Sequence, residues 1–195
     1  MKAGLKQSIT EKRNSLSKEE ILEKSGKIKD NLFVLEQYKK SKTVMFFVSF
    51  NSEVNTHEMI KEALKAKTVI VPKVLEHEIE PSMIADFDSL VSTGKFGILE
   101  PIETMKIAYK NIGLVLVPGI AFDILGHRIG YGFGFYDRFL AKVPKAVKIG
   151  LTFDFQVVEK VPHEEHDVAV DLIVTEERVV ECKNNSFPNP KFRNS

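Results

Sequence analysis

The chain has 195 residues, enough for one domain with a substantial core, and its 28 basic and 27 acidic residues nearly cancel, which argues against a general nucleic-acid or membrane-surface binder. Cys182 is the only cysteine, which excludes an internal disulfide and a cysteine-cluster metal site and fits a reducing compartment. No apolar run is long enough to span a bilayer and the N-terminus lacks the hydrophobic core of a signal peptide, so we expect a cytoplasmic protein.

The first forty residues are predicted to be helical. Lysine-rich residues 2–14 carry Leu5 and Ile9, and Ser17 with Glu20 is typical of a capping box that starts a second helix. Apolar residues then recur at helical spacing through about Lys39: Ile21, Leu22, Ile28, Leu32 and Leu35. Gly26 weakens this helix without necessarily ending it.

Five β-rich runs follow, separated by helix-like or turn-rich segments. They are Thr43–Ser49, Thr68–Pro72, Leu114–Val117, Val147–Leu151 and Asp171–Val174. Their apolar residues do not alternate with polar ones, which indicates burial on both faces, as in a parallel sheet. Helical segments are predicted at Thr56–Ala66 and from Tyr136 to Ala141, so the prediction is a three-layer α/β/α fold with a mainly parallel, Rossmann-like sheet.

Two regions depart from this alternation. Residues 73–111, with a turn signal at Gly94–Gly97, are interpreted either as a small antiparallel insertion or as a long βα excursion. Residues 183–195 lack periodicity and are predicted to be a flexible tail. We therefore expect one domain over residues 1–182.

The most informative segment is the glycine-rich stretch that runs from Gly126 to Asp137. Gly130, Gly132 and Gly134 alternate with the aromatic residues Tyr131, Phe133 and Phe135, and Tyr136 and Asp137 open a predicted helix. The spacing matches neither the dinucleotide fingerprint GxGxxG nor a Walker loop. It favours a nest of backbone amides at a helix N-terminus, which binds phosphate.

Two charged residues fit such a phosphate site. Arg128 would add a planar donor fork for phosphate oxygens, and Asp137 would hold a Mg²⁺ ion that bridges them. The alternative is a glycine-rich turn whose aromatic residues fill the core.

The stretch VPGIAFDILGHRIGYGFGFYDRFL (117–140) resembles the signature of the 5-formyltetrahydrofolate cyclo-ligase family, also called methenyltetrahydrofolate synthetase. Weaker supporting pieces follow the family's order along nearly the whole chain. They are KAGLK (2–6), SFNSEVNT (49–56), VPKV (71–74), GILEP (97–101), GLTFDFQ (150–156) and VPHEEHDVAVDLIVT (161–175).

The resemblance implies an enzyme, a ligase of one-carbon metabolism that uses ATP and Mg²⁺ to convert 5-formyltetrahydrofolate into 5,10-methenyltetrahydrofolate, releasing ADP and phosphate. The formyl oxygen attacks the γ-phosphate, N10 then closes the ring, and phosphate leaves. Such a reaction needs positioning and charge neutralisation more than covalent catalysis, and we expect no catalytic nucleophile or base. The sequence agrees, since it has no GxSxG motif and its cysteine lies near the C-terminus.

By position, the resemblance implies that Lys2, Lys6, Arg128 and residues 130–136 (Gly130, Tyr131, Gly132, Phe133, Gly134, Phe135 and Tyr136) bind ATP. Lys2 and Lys6 lie one helical turn apart; without the resemblance, the sequence favours an ordinary solvated lysine pair. Tyr131 and Phe133 stand where relatives commonly carry Arg, Gly or Lys, so backbone amides would hold phosphate there and the rings would stack on adenine or pterin.

Asp137 and Asp167 match magnesium ligands, with Asp171 a competitor whose place in a strand favours a structural role. His163 and His166 lack a third ligand at zinc spacing, and we interpret them as surface or capping residues.

For the folate, the implied contacts are Phe50, Glu53, Asn55 and the loop residues 131–135. Asn55 replaces the acidic residue usual in the family, and Glu53 is a candidate for that contact. The alternative for Glu53 is a carboxylate serving the helix that starts near Thr56.

Two other classes of function stay open. The first is another enzyme of the same α/β superfamily, such as a sugar-phosphate isomerase or a CoA transferase. The second is a non-catalytic folate-binding module. In every case the expected partners are small molecules, without nucleic acid or membrane, and the expected state is a monomer.

Overall fold

The computed structural model describes residues 2–76, 78–92 and 97–183. Within these ranges the helices are α1 (Lys2–Asn14), α2 (Lys18–Phe33), α3 (Glu36–Lys40), α4 (His57–Ala63) and α5 (Phe135–Lys142). The strands are β1 (Thr43–Met45), β2 (Thr68–Val74), β3 (Ile79–Ile84), β4 (Leu90–Ser92), β5 (Leu99–Pro101), β6 (Met105–Lys106), β7 (Leu114–Val117), β8 (Ala121–Asp123), β9 (Arg128–Ile129), β10 (Val147–Leu151), β11 (Val157–Val158), β12 (Leu172–Val174) and β13 (Val179–Glu181). None of these helices is long and apolar enough to cross a lipid bilayer.

In the described part of the chain, eight strands form one sheet in the order β13-β12-β10-β7-β1-β2-β3-β6. The five strands from β12 to β2 are parallel to their neighbours, whereas β13, β3 and β6 are antiparallel additions at the two edges. The mainly parallel sheet predicted from the apolar runs is therefore confirmed.

Helices cover both faces of this sheet. Along β7, Leu114 and Leu116 face one apolar cluster that includes residues of α2 and α4, and Val115 and Val117 face a second cluster that includes residues of α5. All four side chains are fully buried, which explains why the strand has no polar positions. The three-layer arrangement is confirmed.

The capping box at the start of α2 is present. The Glu20 amide donates to Ser17 Oγ (3.1 Å), and the Ser17 amide donates to the Glu20 carboxylate (2.8 Å). Gly26 lies inside α2, but the helix ends at Phe33 and not near Lys39 as predicted. The chain turns at Leu35 and restarts as α3, which brings the buried ring of Tyr38 onto Phe33 at 4.4 Å.

Residues 73–111 form an antiparallel extension, as the first alternative predicted. Strand β3 folds back on β2 over six residue pairs, β6 pairs with β3, and β4 pairs with β5 in a separate small sheet. The βα alternative is wrong, because no α-helix occurs among the described residues of this region. Of the predicted Gly94–Gly97 turn, residues 94–96 lie outside the described residues, as do residues 184–195 of the predicted tail.

Candidate functional site

Three loops meet at the carboxyl ends of the central parallel strands, where ligands bind in open α/β sheets. They are residues 46–56 after β1, residues 118–134 after β7, and residues 152–156 after β10. The Tyr131 hydroxyl donates to Glu53 Oε1 at 2.5 Å and Gln156 Nε2 donates to the Gly119 carbonyl at 3.2 Å, so the second loop contacts both others.

The glycine stretch leads directly into the N-terminus of α5. A short hairpin, β8 and β9, carries the chain to Gly130, and Gly134 then occupies the cap position in the left-handed conformation (φ 64°). Among the described residues, no side chain caps the start of this helix, so its N-terminus lacks the side-chain hydrogen bond that commonly satisfies the first amides. This is the arrangement predicted for a phosphate nest.

The aromatic residues of the loop divide into two groups. Phe135 and Tyr136 pack against the core, whereas Tyr131 is 39% exposed and Phe133 is 57% exposed. Phe133 also stacks on Phe135, with ring centroids 5.6 Å apart. Packing in the core therefore explains only the rings of Phe135 and Tyr136. The first two present aromatic faces at the surface, as stacking on a ligand would require.

Arg128 lies beneath this loop, with only 4% of its side chain exposed. Its Nη2 donates to Asp137 Oδ1 at 2.6 Å and its Nη1 donates to the Val168 carbonyl at 2.5 Å. Burial lowers the pKa of Arg128, and the charge of Asp137 opposes that effect. Arg128 thus joins the start of α5 to the loop before β12, a role that spacing did not predict. Its contact with phosphate stays a prediction.

The same contacts connect the segments that carry the two predicted metal residues. The Val168 amide donates to Asp137 Oδ1 at 3.2 Å, Asp167 precedes Val168 in the chain, and the charges of Asp137 and Asp167 both raise the pKa of Arg128. The Asp167 carboxylate in turn accepts from the Glu164 amide at 2.9 Å.

Two carboxylates fit Mg²⁺, an ion that binds one or two carboxylates together with substrate oxygens. The hydrogen bonds from Arg128 and from the Val168 amide both go to Oδ1 of Asp137. The described residues contain no cluster of three or more His, Cys, Asp and Glu side chains suited to a metal, and a magnesium site at Asp137 and Asp167 stays a prediction.

Helix α1 lies against the glycine loop through Lys6, whose Nζ donates to the Tyr131 carbonyl at 2.9 Å. Lys2 lies one turn earlier on the same helix and is exposed. Ile9 of α1 is buried in an apolar cluster with residues of the β8–β9 hairpin. The structure therefore brings Lys6 to the loop, and the contacts of Lys2 and Lys6 with ATP stay predictions.

Glu53 is buried, with 9% of its surface exposed. Its carboxylate accepts from the Phe50 amide (3.0 Å) and from the Tyr131 hydroxyl. Burial raises the pKa of Glu53, although the bond from Tyr131, the bond from Phe50 and the charge of Arg13 lower it. Neither donor belongs to α4, so these two bonds do not support the alternative in which Glu53 serves the N-terminus of that helix.

Asn55 serves α4 in its place. Its Oδ1 accepts from the His57 amide at 3.0 Å, and its own amide donates to Ser25 Oγ at 2.8 Å. The side chain of Phe50 is half-buried, and Phe50 stands three positions before Glu53 in the sequence. Folate contacts by Phe50 and Asn55 stay predictions.

Arg13 is a buried charge that the sequence reasoning missed. It is 5% exposed and donates from Nε to Ser52 Oγ at 3.1 Å. The signal was available, because Leu5, Ile9 and Arg13 recur every four residues and so share one face of α1. A charged residue on the buried apolar face of a helix indicates that this part of the face packs against polar groups.

The histidines and Asp171 have structural partners. His163 stacks on His127, with centroids 3.6 Å apart, and His127 Nδ1 lies 3.3 Å from the Asp123 carboxylate. His166 lies 3.7 Å from Glu164. Asp171 accepts from the Lys148 amide at 2.7 Å, which supports its structural reading.

Comparison with known proteins points to one family. The model of the 5-formyltetrahydrofolate cyclo-ligase family matches residues 1–176. A protein of Caenorhabditis elegans, described as a probable 5-formyltetrahydrofolate cyclo-ligase, is 30% identical over 192 residues that cover 90% of this chain and 93% of the relative.

Two solved structures agree. The 5,10-methenyltetrahydrofolate synthetase of Aquifex aeolicus is 36% identical, covers 99% of both chains and superposes with a TM-score of 0.84. The 5,10-methenyltetrahydrofolate synthetase of Mycoplasma pneumoniae is 27% identical, with 90% of this chain and 98% of that chain covered and a TM-score of 0.73.

Proposed function

This chain belongs to the 5-formyltetrahydrofolate cyclo-ligase family, and we propose that it converts 5-formyltetrahydrofolate and ATP into 5,10-methenyltetrahydrofolate, ADP and phosphate. The formyl oxygen takes the γ-phosphoryl group and ADP leaves. N10 then attacks the formyl carbon, loses its proton, and phosphate departs with the former formyl oxygen. Atoms and charges balance without an oxidant or a reductant.

The observation that carries this proposal is the convergence of a phosphate nest with two carboxylates. The N-terminus of α5 has no side-chain cap and offers amides to an anion, Val168 joins the segment of Asp167 to Arg128 and Asp137, and both carboxylates act on the charge of Arg128. Phosphoryl transfer needs positioning and neutralised charge, and these elements supply both.

Each residue of the site has a proposed role. Asp137 and Asp167 hold Mg²⁺, which neutralises charge on the phosphates when it is bound. Arg128 fixes Asp137, the amides of the glycine loop with Lys6 and Lys2 bind phosphate oxygens, and the exposed face of Phe133 stacks on a ring of one substrate.

We further propose that residues 1–182 work as one domain and as a monomer on small molecules in the cytoplasm. The near-zero net charge and the single buried thiol of Cys182 are consistent with this setting.

An absorbance assay tests the function. Protein, MgATP and 5-formyltetrahydrofolate are mixed, and the near-ultraviolet absorbance of the methenyl product is followed, with a sample in EDTA as the control. We expect product only when both ATP and Mg²⁺ are present. Bound folate without product at high protein concentration would instead support the non-catalytic binding module, and no interaction with folate would favour another enzyme of the superfamily.

A further inference from the structure

The glycine loop is reached through a hairpin that does not belong to the main sheet. Strand β8 pairs with β9 and with β11, and in the described structure these three strands form a separate small sheet. The position of the hairpin relative to the central strands therefore depends on contacts outside the eight-stranded sheet. Two such contacts lie at Gly119 and Ile120, where the chain leaves β7 and enters β8.

The first contact is a close approach of the backbone to an aromatic ring. Phe122 of β8 is fully buried, and a Cβ atom added to Gly119 would lie 2.6 Å from its ring. A Cβ atom added to Gly150 of β10 would lie 2.7 Å from the same ring. The ring thus packs between two backbone positions that have no room for a side chain, and it limits how closely the hairpin approaches the sheet.

The second contact is made by Gln156, which is 2% exposed and ends the short turn after β10. Its Nε2 donates to the Ile120 carbonyl at 2.8 Å and to the Gly119 carbonyl at 3.2 Å. Its Oε1 accepts from the Phe153 amide at 3.1 Å, so the side-chain amide uses two donors and one acceptor. Because a buried carbonyl without a donor costs free energy, this one side chain fixes two consecutive carbonyls at the start of the hairpin.

The turn that carries Gln156 is itself held from two directions. The Asp154 amide donates to Glu176 Oε2 at 2.9 Å, and Lys24 Nζ of α2 donates to Glu176 Oε1 at 2.6 Å. The Glu176 side chain is 3% exposed, and Thr175 Oγ1 donates to Asp154 Oδ1 at 3.0 Å. Gln156 therefore extends from an anchored support, which a residue needs if it is to fix the position of a neighbouring segment.

One further hydrogen bond joins this point to the glycine loop. The Ile120 amide donates to the Ile129 carbonyl at 2.7 Å, and Ile129 directly precedes Gly130. The peptide groups on the two sides of Ile120 thus contact Gln156 and the residue before the loop. A displacement of Ile120 would move the start of the loop whose amides are proposed to bind phosphate.

We propose that Gln156 is a positioning residue, which holds the β8–β9 hairpin at the distance from β10 at which the glycine loop and the N-terminus of α5 bind the nucleotide. Gln156 acts through the Gly119 and Ile120 carbonyls and needs no contact with either substrate. Misplacement of binding groups by about 1 Å is enough to lower the efficiency of a site strongly. This inference rests on the proposed function, and it assigns a residue to which the resemblance gives no role.

Calorimetric binding of MgADP in the absence of folate tests this role. Gln156→Met keeps the approximate length of the side chain but removes both donors, and it should weaken binding by about tenfold. Gln156→Glu at pH 9 should weaken binding by about thirtyfold or more, because a carboxylate would face two carbonyl oxygens. Leu114→Ala, which lowers stability at the other end of β7, is the matched control and should bind MgADP like the wild type.

The pH dependence of Gln156→Glu separates hydrogen bonding from a loss of shape. A protonated carboxyl has one O–H donor, so it restores one of the two bonds to the carbonyls, and burial favours this form. The deficit of Gln156→Glu relative to the wild type at the same pH should shrink by about threefold or more between pH 9 and pH 6. The deficit of Gln156→Met should stay constant, and circular dichroism checks that each variant is folded at both pH values.

Gly119→Ala tests the same contact from its other side. The added methyl group would meet the Phe122 ring, so the backbone at Gly119 has to move although Gln156 is intact. We expect MgADP binding to weaken by about fivefold to tenfold. Wild-type affinity in Gly119→Ala or in Gln156→Met would overturn the proposal. An equal loss of affinity in Leu114→Ala, or a deficit of Gln156→Glu that does not change with pH, would also overturn it.

The role of Gln156 and the proposed function fail in distinguishable ways. MgADP bound with the expected pattern among the variants, but folate never converted, would leave the role standing and refute the reaction. Normal turnover by the wild type with unaltered MgADP affinity in the Gln156 variants would refute the role alone. Absence of any MgADP binding by the wild type would refute both.

Discussion

The two ends of strand β7 differ in what surrounds them. Leu114 at the amino end is fully buried, in one continuous apolar cluster with helices α2 and α4. Within fifteen residues of the carboxyl end, the chain passes the buried charges of Asp123 and Arg128. The first end is stabilised by apolar area and dispersion, the second by a few specific hydrogen bonds.

The difference shows which part of the fold contains buried polar groups that lower its stability and that we propose serve the reaction. Between them, the carboxyl-end loops, α1 and the first turn of α5 contain the buried charges of Arg13, Glu53 and Arg128, and the hydroxyls of Tyr136 and Thr152, which have no hydrogen-bond partner among the described residues. Buried groups of this kind cost free energy unless each has a partner. We therefore expect substitutions at the two ends to separate stability from activity.

The largest effect is expected for Asp137→Asn, which acts on both properties. It removes a proposed magnesium ligand and also leaves the buried Arg128 without its anionic partner. Turnover should fall about a hundredfold or more, equivalent to roughly 3 kcal/mol, and the free energy of unfolding should fall by about 3 kcal/mol. Product absorbance and urea denaturation measure the two changes.

Asp167→Asn is the matched comparison for this prediction, because Asp167 forms no ion pair with Arg128 in the described structure. It should lower turnover and raise the Mg²⁺ concentration needed for half-maximal rate while it changes stability little. A normal magnesium dependence in both variants would remove the two carboxylates from the metal site.

Leu114→Ala is the next largest change and tests the apolar end alone. Removing this fully buried side chain should lower the free energy of unfolding by about 3 kcal/mol, within the range for core leucines. Its KM values should match the wild type, since the strand rises about 3.3 Å per residue and Leu114 lies four residues before residue 118, where the loop begins. A changed KM for either substrate at a temperature where the variant is folded would mean that the two ends are coupled.

The smallest effect concerns the pH dependence of stability at Glu53. Burial raises the pKa of this carboxyl, so the folded chain retains its proton to higher pH than the unfolded chain does. The free energy of unfolding therefore falls as pH rises from the ordinary glutamate pKa of 4.5 through the raised value, and the full cost applies above it.

Glu53→Gln removes this titration and should gain stability relative to the wild type as the pH increases, by on the order of 1 kcal/mol at pH 8. Urea denaturation at several pH values measures the difference, with Glu58→Gln as the exposed control. A wild type that gains stability relative to Glu53→Gln between pH 4 and pH 8 would contradict the prediction.

Much of the fold was predictable because its signals are local. The apolar runs at Leu114–Val117 and Val147–Leu151 identified buried parallel strands, and Ser17 with Glu20 identified a helix start. Boundaries were less accurate. The first strand ends at Met45 and not at Ser49, although Phe46 to Val48 remain buried, because the ladder with β2 stops after the Phe46 amide bonds to the Ile70 carbonyl.

The sequence by itself determined the glycine loop, the two aspartates and the family that they resemble, since spacing along the chain carries these signals. Only the tertiary structure decided the partners: Arg128 with Asp137 and Val168, Tyr131 with Glu53, and Arg13 beside both. Tyr131 and Glu53 are 78 positions apart, and periodicity reports which face of an element is buried but not which distant charge meets it there. Which distant charges meet depends on the order of the strands in the sheet, because that order brings three separate loops to one end of it.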